Sequence, residues 1–573
     1  MLLRPTPRRR WPCAALALAA WLACGPTAWA QTAPNAERES LETLRQTTLA
    51  LIELLVQNGT LPRDKADALL AEARRRGEAA ATPPGNWGAA PAAAGAVAGN
   101  TVRVPYVPQV VRDQIRNELR EEIVARARIE RWGVPNATAE WTDRIAIEGD
   151  LRVRLQQDAY GKDNPAPFDL LLAAAGGLTR APDLAAGDNT NLPLANTQDD
   201  RQRLRLRARL GVNAKVSDGI TVGLRLATGS ATDRVSTNQT LGQNFNRYQF
   251  LLDRAYLQVE PTDGVRLVAG RMANPWFSTD LVWSDSLNFD GLSASWQLPS
   301  TSNATFRPYA TVGWFPVRED RPPRRGRQIL GFQVGAQWEW SPQVRLKFGL
   351  AQYDFRHFEG QVDNDYSAVD GPGRSYGQFE YEAGLRQRGN TLFLTNSPLE
   401  IAGGGFAADD LMWGLAARFR PLALTVAAQF THFAPVFVGV SGELVRNQAY
   451  DRQRIGDTKG VWIDDARVFG AGLRTTVGAA DVRQRGDWQV SLGYRWLGSD
   501  AVPDAFVDSD LGGGGTNLRG LQLGLAYGVA RDSVVSVRWL SGRTISSPTV
   551  RPGLATPDRF SLDNLQVDMH VRF

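Results

Sequence analysis

The chain has 573 residues, of which 43% are hydrophobic and 22% charged, and its formal net charge is +5. Arg4, Arg8, Arg9 and Arg10 stand in the first thirty residues with no acid beside them, so beyond residue 30 the balance falls to +1 and nothing electrostatic favours a nucleic-acid partner. A mean hydropathy of −0.29 excludes little: it suits a soluble protein, and equally a strand barrel in which half the residues face water.

The N-terminus has the order of a secretory signal, with Arg8-Arg9-Arg10, an apolar stretch over 14–23, then Ala28-Trp29-Ala30 before Gln31. Cleavage after Ala30 is expected; a lipoprotein cut before Cys24 would want a leucine-like residue where Trp21 stands. Both cysteines, Cys13 and Cys24, fall inside 1–30, which leaves the mature chain without thiol chemistry. No later run of about eighteen apolar residues exists, so a membrane could be crossed only by strands.

Residues 31–76 read as a helical hairpin or coiled-coil segment: Leu41, Leu44, Leu51, Ile52 and Leu55 share one face, Asn58-Gly59 turns the chain, and Leu69 and Leu70 follow. Residues 77–100 are almost all Ala, Gly and Pro, the composition of a linker. Within 101–143 a charged helix over 110–131 places Ile115, Leu119, Ile123 and Val124 at helical spacing, and Pro135 closes it.

From residue 144 to 573 the apolar period changes from 3.6 to 2. Leu521, Leu523, Leu525 and Tyr527 alternate with Gln522, Gly524, Ala526 and Gly528; Leu565, Val567, Met569 and Val571 alternate with Gln566, Asp568, His570 and Arg572. Strands are expected near 144–156, 201–216, 219–229, 250–260, 264–273, 288–298, 305–315, 329–340, 343–354, 411–420, 421–431, 466–478, 486–497, 518–529, 532–541 and 563–573. Asp253 and Arg271 interrupt the alternation in the fourth and fifth. Tight turns at 217–219, 261–264, 341–342, 420–421 and 530–532 each follow an even strand, while the other connections are long. This asymmetry marks an outer-membrane barrel with both chain ends on the short-turn side.

Hydrocarbon offers no partner to a free N–H or C=O, so strands span it only when the sheet closes. The expected fold is therefore an all-β transmembrane barrel of about sixteen antiparallel strands, preceded by a short α-helical segment. Trp276, Trp283, Trp296, Trp314, Trp338, Trp340, Trp488, Trp496 and Trp539 stand near strand ends, where aromatic girdles form. On the second strand Leu204, Leu206, Ala208 and Leu210 point one way, so Arg203, Arg205, Arg207 and Arg209 point the other. At mid-depth each arginine would cost about 2–4 kcal/mol against lipid, so they must line water. The same parity adds Arg152, Arg154 and Arg225, with Arg254 as a further member of a basic wall. Acids are available in the third long loop at Asp280 and Asp285. The alternative is that the arginines pair locally with Glu148 and Asp150 and serve folding alone.

The helical preface Leu51-Ile52-Glu53-Leu54-Leu55 with Ala66-Asp67-Ala68-Leu69-Leu70, the first strand Ile147-Glu148-Gly149-Asp150-Leu151-Arg152, the segment Asp253-Arg254-Ala255-Tyr256-Leu257 and terminal Phe573 resemble the bacterial putative-porin family and, more broadly, trimeric sixteen-stranded general porins. The resemblance implies passive diffusion of small hydrophilic solutes, a homotrimer in outer-membrane lipid, and a terminal aromatic read by the barrel assembly machinery. It also implies a third loop folded into the lumen, with Asp280 and Asp285 facing the arginine wall. The extra N-terminal helices depart from the general porins and point to periplasmic contacts, peptidoglycan among them.

Three rival functions make different demands on the sequence. A hydrolase would need a base among His357, His432 and His570; the first two are expected on long loops, the third facing the lumen, and no Ser/His/Asp spacing joins them. An energy-coupled receptor would need about twenty-two strands and a globular plug. A structural tether would hold the cell wall through its helices. Asp363-Asn364-Asp365 lacks the full spacing of a calcium loop, and Asn390, Asn396 and Gly512-Gly513-Gly514-Gly515 read as exposed loop. No cofactor and no metal are called for.

Overall fold

The computed structural model describes residues 144–164, 197–299, 304–382, 384–403, 412–460, 467–546 and 560–573. The expected signal, helices and linker over 1–143 lie outside these.

Sixteen strands form one antiparallel barrel: β1 Ile145–Tyr160, β2 Arg201–Ser217, β3 Ile220–Ala227, β4 Leu251–Thr262, β5 Val265–Ala273, β6 Asn288–Gln297, β7 Phe306–Arg318, β8 Arg327–Ser341, β9 Val344–Arg356, β10 Pro421–Phe433, β11 Val436–Asn447, β12 Phe469–Gly478, β13 Trp488–Leu497, β14 Leu518–Ala530, β15 Ser533–Thr544 and β16 Ser561–Arg572. Each pairs with its sequence neighbours, and β1 pairs with β16 from Asp150↔Arg572 to Tyr160↔Leu562, which closes the cylinder and leaves no edge. Alternation does the sorting: Leu151, Leu204, Leu224, Leu292, Leu350, Leu444 and Leu523 are exposed on the outer face, and the residues between them point inward.

Turns of two residues join β2 to β3, β4 to β5, β8 to β9, β10 to β11 and β14 to β15. Gly219 in the first has φ +74°, a left-handed conformation, and a Cβ there would meet the Glu260 carbonyl at 2.6 Å. At the opposite end the connections are long, among them loop L2 (228–250), L3 (274–287), L5 (357–420), L6 (448–468) and L7 (498–517).

Two expected elements are corrected, and the errors cancel in the strand count. The segment 411–420 does not cross; Trp413–Leu415 is a three-residue strand paired with Leu392–Leu394 inside L5. Its alternation survives because Trp413, Leu415, Ala417 and Phe419 are buried against other loops, with no lipid involved. The missing strand is β11, and the tight turn lies at 434–435 instead of 420–421. Apolar Phe437 and Val445 on its inward face blur the alternation there, and the inward Glu443 carboxylate is buried as an acceptor for Thr279 and Thr425. Asp253 disturbs β4 because it is itself the extra residue of a bulge, skipped between Arg254 opposite Arg225 and Leu252 opposite Leu226, so Asp253 and Arg254 both find inward partners. Arg271 ion-pairs with Asp290 at 2.8 Å on the exposed rim.

The tryptophans divide. Trp296, Trp338, Trp340 and Trp488 stand toward the short-turn rim and Trp314 and Trp496 toward the loop rim of the outer face, a girdle position. Trp276 and Trp283 do not belong to it: both are buried inside the barrel.

Candidate functional site: the constricted lumen

The basic wall is a register effect. Along β1 and β2, Asp150 lies opposite Arg209, Arg152 opposite Arg207, Arg154 opposite Arg205 and Gln156 opposite Arg203. Like charges directly opposite destabilise a sheet unless carboxylates intervene. Asp150 accepts from Arg207 Nη2 at 2.8 Å and from Arg209 Nε at 2.6 Å; Asp568 of β16 binds Arg154 through two bonds of 2.7 and 2.9 Å; Asp158 takes Arg203 at 2.5 Å. Beyond them Arg225 donates to Asp253 and Arg254 to Asn288 Oδ1 at 2.8 Å.

Arg152 and Arg205 differ from Arg154, Arg203, Arg207 and Arg209 of the same ladder. Arg152 donates to the Asn238 amide oxygen at 2.5 Å, with its nearest carboxylate oxygen, on Asp568, at 3.8 Å; Arg205 donates to the Gln156 amide oxygen at 3.2 Å. Both guanidinium groups thus meet neutral amides where their neighbours meet carboxylates. Local pairing uses Asp150, as the folding-only alternative requires, but Glu148 holds no arginine among the described residues.

Three loops narrow the space in front of this wall. The first is the early part of L2. After β3 the chain leaves the wall at Thr228, whose N–H donates to Ala208, and rejoins β2 only at Gln239–Thr240, which pair with Leu206 and Arg205. The excursion between them enters the lumen, where the Val235 carbonyl accepts from Ser284 Oγ at 3.1 Å and Arg234 donates to the Gly384 carbonyl at 2.5 Å.

L3 crosses the lumen on fixed anchors. Phe277 and the Gln333 side chain exchange two hydrogen bonds of 2.8 Å, Thr279 donates its N–H and hydroxyl to Glu443 at 3.1 and 2.6 Å, and the Ser284 N–H donates to the Phe506 carbonyl at 2.9 Å. Of its two acids, Asp280 accepts from Arg474 Nη2 of β12 at 2.7 Å, and the same nitrogen donates to Gln522 of β14, so Asp280 does not meet the β1–β2 ladder. Asp285 is exposed to the lumen, and its carboxyl pKa is raised by desolvation first and by Asp280 second, with Arg474 and Arg538 opposing.

The acid that meets the ladder comes from L7. Asp510 Oδ2 stands 2.7 Å from Arg538 Nη2 and 3.4 Å from Arg154 Nη1. Its neighbour Asp508 lies 3.6 Å from Arg495. Desolvation acts on both carboxyls. Asp508, repelled further by Asp510 and Asp280, is pushed up to about 6, whereas Arg154 and Arg538 hold Asp510 well below the usual carboxylate range.

An aromatic cluster fills much of the interior away from this wall. Trp283 contacts Phe289, Tyr353, Phe355 and Phe506 at ring-centroid distances of 5.0 to 6.0 Å, and Trp276 meets Phe315 and Tyr353 edge-on. L5 and L7 are laced above them: Tyr381 donates to Asp504 at 2.6 Å, Thr391 to Asp500 at 2.7 Å, and the Asn390 amide to the carbonyls of Ser499 and Val502. Asn390 and Asn396 are therefore buried, as are Gly512, Gly514 and Gly515, where exposed loop was expected. Asp363 and Asp365 spend their oxygens on backbone N–H groups and Ser375, which leaves no calcium cage, and no metal-binding group of three or more His, Cys, Asp or Glu occurs among the described residues.

Parity carried to the remaining strands would have found more of the lining. Arg474 follows outward Leu473 and Asp568 precedes outward Met569, so both point inward by the rule that placed Arg205. No sequence signal marks Asp508, Asp510 or the L2 excursion, because loop paths carry no period. His570 faces inward 3.4 Å from Asp150, beside Arg207; His357 follows β9 in L5; His432 is within β10 near the short-turn rim, not on a long loop. Phe573 exchanges two backbone hydrogen bonds with Gly149, and its ring is exposed.

The sequence profile of a family described as "Putative porin" matches residues 45–573. Solved structures similar in fold include an outer-membrane protein of Vibrio cholerae, OmpT in its trimer form, at 11% identity and TM-score 0.38, covering 75% of this chain and 100% of that one. An anion-selective porin from Comamonas acidovorans aligns at 10% identity and TM-score 0.37 over 75% and 99% of the two chains. The outer-membrane channel DcaP of Acinetobacter baumannii aligns at 11% identity and TM-score 0.34 over 75% and 98%. No curated protein matches this chain in sequence.

Proposed function

Since the chain belongs to the putative porin family and is an outer-membrane porin channel, we propose that it passes small hydrophilic solutes and ions by passive diffusion along the arginine side of its lumen, with anions favoured. The observation that carries this reading is the pair Arg152 and Arg205, which meet only neutral amides within hydrogen-bonding distance. A guanidinium facing the lumen with no carboxylate within hydrogen-bonding distance attracts permeant anions, while the packed aromatic cluster narrows the route on the other side. Arg154, Arg203, Arg207, Arg209, Arg225 and Arg254 extend the basic wall, and Asp280 and Asp285 on L3 with Asp510 on L7 stand as the counter-charge.

The assembly part of the proposal is a homotrimer in outer-membrane lipid, inserted by the barrel assembly machinery through recognition of Phe573. The proposal also assigns the segment 31–143 to the periplasm, with contacts to peptidoglycan, and the entry of the chain into β1 from the short-turn side supports it. Planar-bilayer conductance under a salt gradient tests the pore reading. Arg205→Glu and Arg207→Glu should each move the reversal potential toward cation preference. An unchanged reversal potential in both variants would remove these arginines from the conduction path.

A further inference from the structure

On the outer face, the loop-side ends of β13, β14 and β15 bring Trp496, Arg519 and Arg543 into one row, Trp496 opposite Arg519 and Arg519 opposite Arg543. Arg519 shares the parity of Leu521, Leu523, Leu525 and Tyr527, all exposed to the outside, so both guanidinium groups leave the barrel and do not enter the lumen. Arg446 of β11, in the parity of outward Leu444, lies opposite exposed Phe469 near the same rim.

Among the described residues, Arg446, Arg519 and Arg543 make no ion pair or hydrogen bond through their side chains. Other outward arginines at this rim are neutralised: Arg356 and Arg420 share Asp354 at 3.0 and 3.6 Å. A cross-strand arginine pair without an acid is a net cost to the sheet, and greater still beside hydrocarbon. An external anion would reverse that sign. Depth points to its source. Eight residues separate Tyr527 from Arg519, and at about 3.3 Å per residue and roughly 40° of tilt they span about 20 Å along the membrane normal, close to the height of the apolar band. Tyr527 and Arg519 thus mark opposite headgroup levels, with Arg519 on the long-loop side.

We propose that Arg519 and Arg543, flanked by Trp496 and Arg446, form a binding site for the phosphate of an outer-leaflet lipid. Two guanidinium forks side by side match the oxygens of a phosphomonoester, and the Trp496 ring suits the layer where sugar and acyl chain meet. The site rests on the barrel spanning the membrane and is independent of what passes through the lumen.

The test is native mass spectrometry of the purified full-length protein in detergent, with diphosphorylated lipid A and its dephosphorylated form as probes. The wild type should retain the phosphorylated lipid about tenfold more than the other, Arg519→Gln/Arg543→Gln should lose that preference, and Arg519→Lys/Arg543→Lys should keep part of it. All three should show the same single-channel conductance, which verifies folding and separates failure of this site from failure of the pore reading. Equal retention of the two lipids by the wild type, or an undiminished preference in the glutamine variant, overturns the proposal. A change of oligomeric state without a change in lipid retention also overturns it and makes the row a contact between copies.

Discussion

Behind β6–β11 the interior is filled by Trp283, Phe289, Phe315, Tyr353, Phe355 and Phe506, whereas in front of β1, β2 and β16 it holds arginines and aspartates at hydrogen-bonding distance. The first half excludes water and gains from every contact; the second must stay hydrated, since a guanidinium taken out of water without a full set of partners is costly. The packed half therefore decides where L3 and L7 sit, and the charged half is the route in the proposed function. A pore of this kind needs both: close packing alone would seal the cylinder, and charge alone would not hold a loop across it.

The largest effect expected from disturbing this division is on the packed side. Trp283→Ala should remove about 3–5 kcal/mol of packing and loosen L3. It should lower the midpoint of thermal unfolding in detergent and raise single-channel conductance; an unchanged conductance would mean that the aromatic cluster does not set the width of the route. Next comes the charged side. Asp510→Asn leaves Arg154 and Arg538 short of a counter-charge, and one unit charge at this range in wet surroundings is worth about 1 kcal/mol, or roughly fivefold in the anion-to-cation permeability ratio. A ratio that stays put would show that L7 lies off the path.

The smallest shift should come from protons alone. Asp508, raised to about 6 by burial and by the carboxylates beside it, loses its negative charge as pH falls through that value. Between pH 7 and pH 5 the lumen becomes more positive, and anion preference should rise by less than in Asp510→Asn, roughly twofold. The Asp508→Asn variant should show a weaker pH dependence in the same recordings; if the full dependence persists in it, another group carries the titration.

How much of this was legible in the residues varies with the kind of interaction. Alternation placed Arg205 and Arg207 inward because a strand residue has only two faces to choose from and lipid forbids one of them. The same logic failed at 411–420, where a period of two persists under a loop because both faces are buried, and it missed β11, where Phe437 and Val445 make the inward face apolar as well. Trp276 and Trp283 looked like girdle residues because an indole suits an interface and a core alike.

Sequence by itself therefore determined the closed antiparallel cylinder and the inward parity of Arg205 and Arg207, since backbone satisfaction and strand parity are local and periodic, whereas the count of sixteen crossings came from two errors that cancel. Tertiary structure alone decided that Asp280 meets Arg474 and not the ladder, that Asp510 arrives from L7, and that residues 228–238 leave the wall for the lumen. Those outcomes depend on where long loops come to rest, and that is fixed by packing among residues far apart in the chain, which no period records.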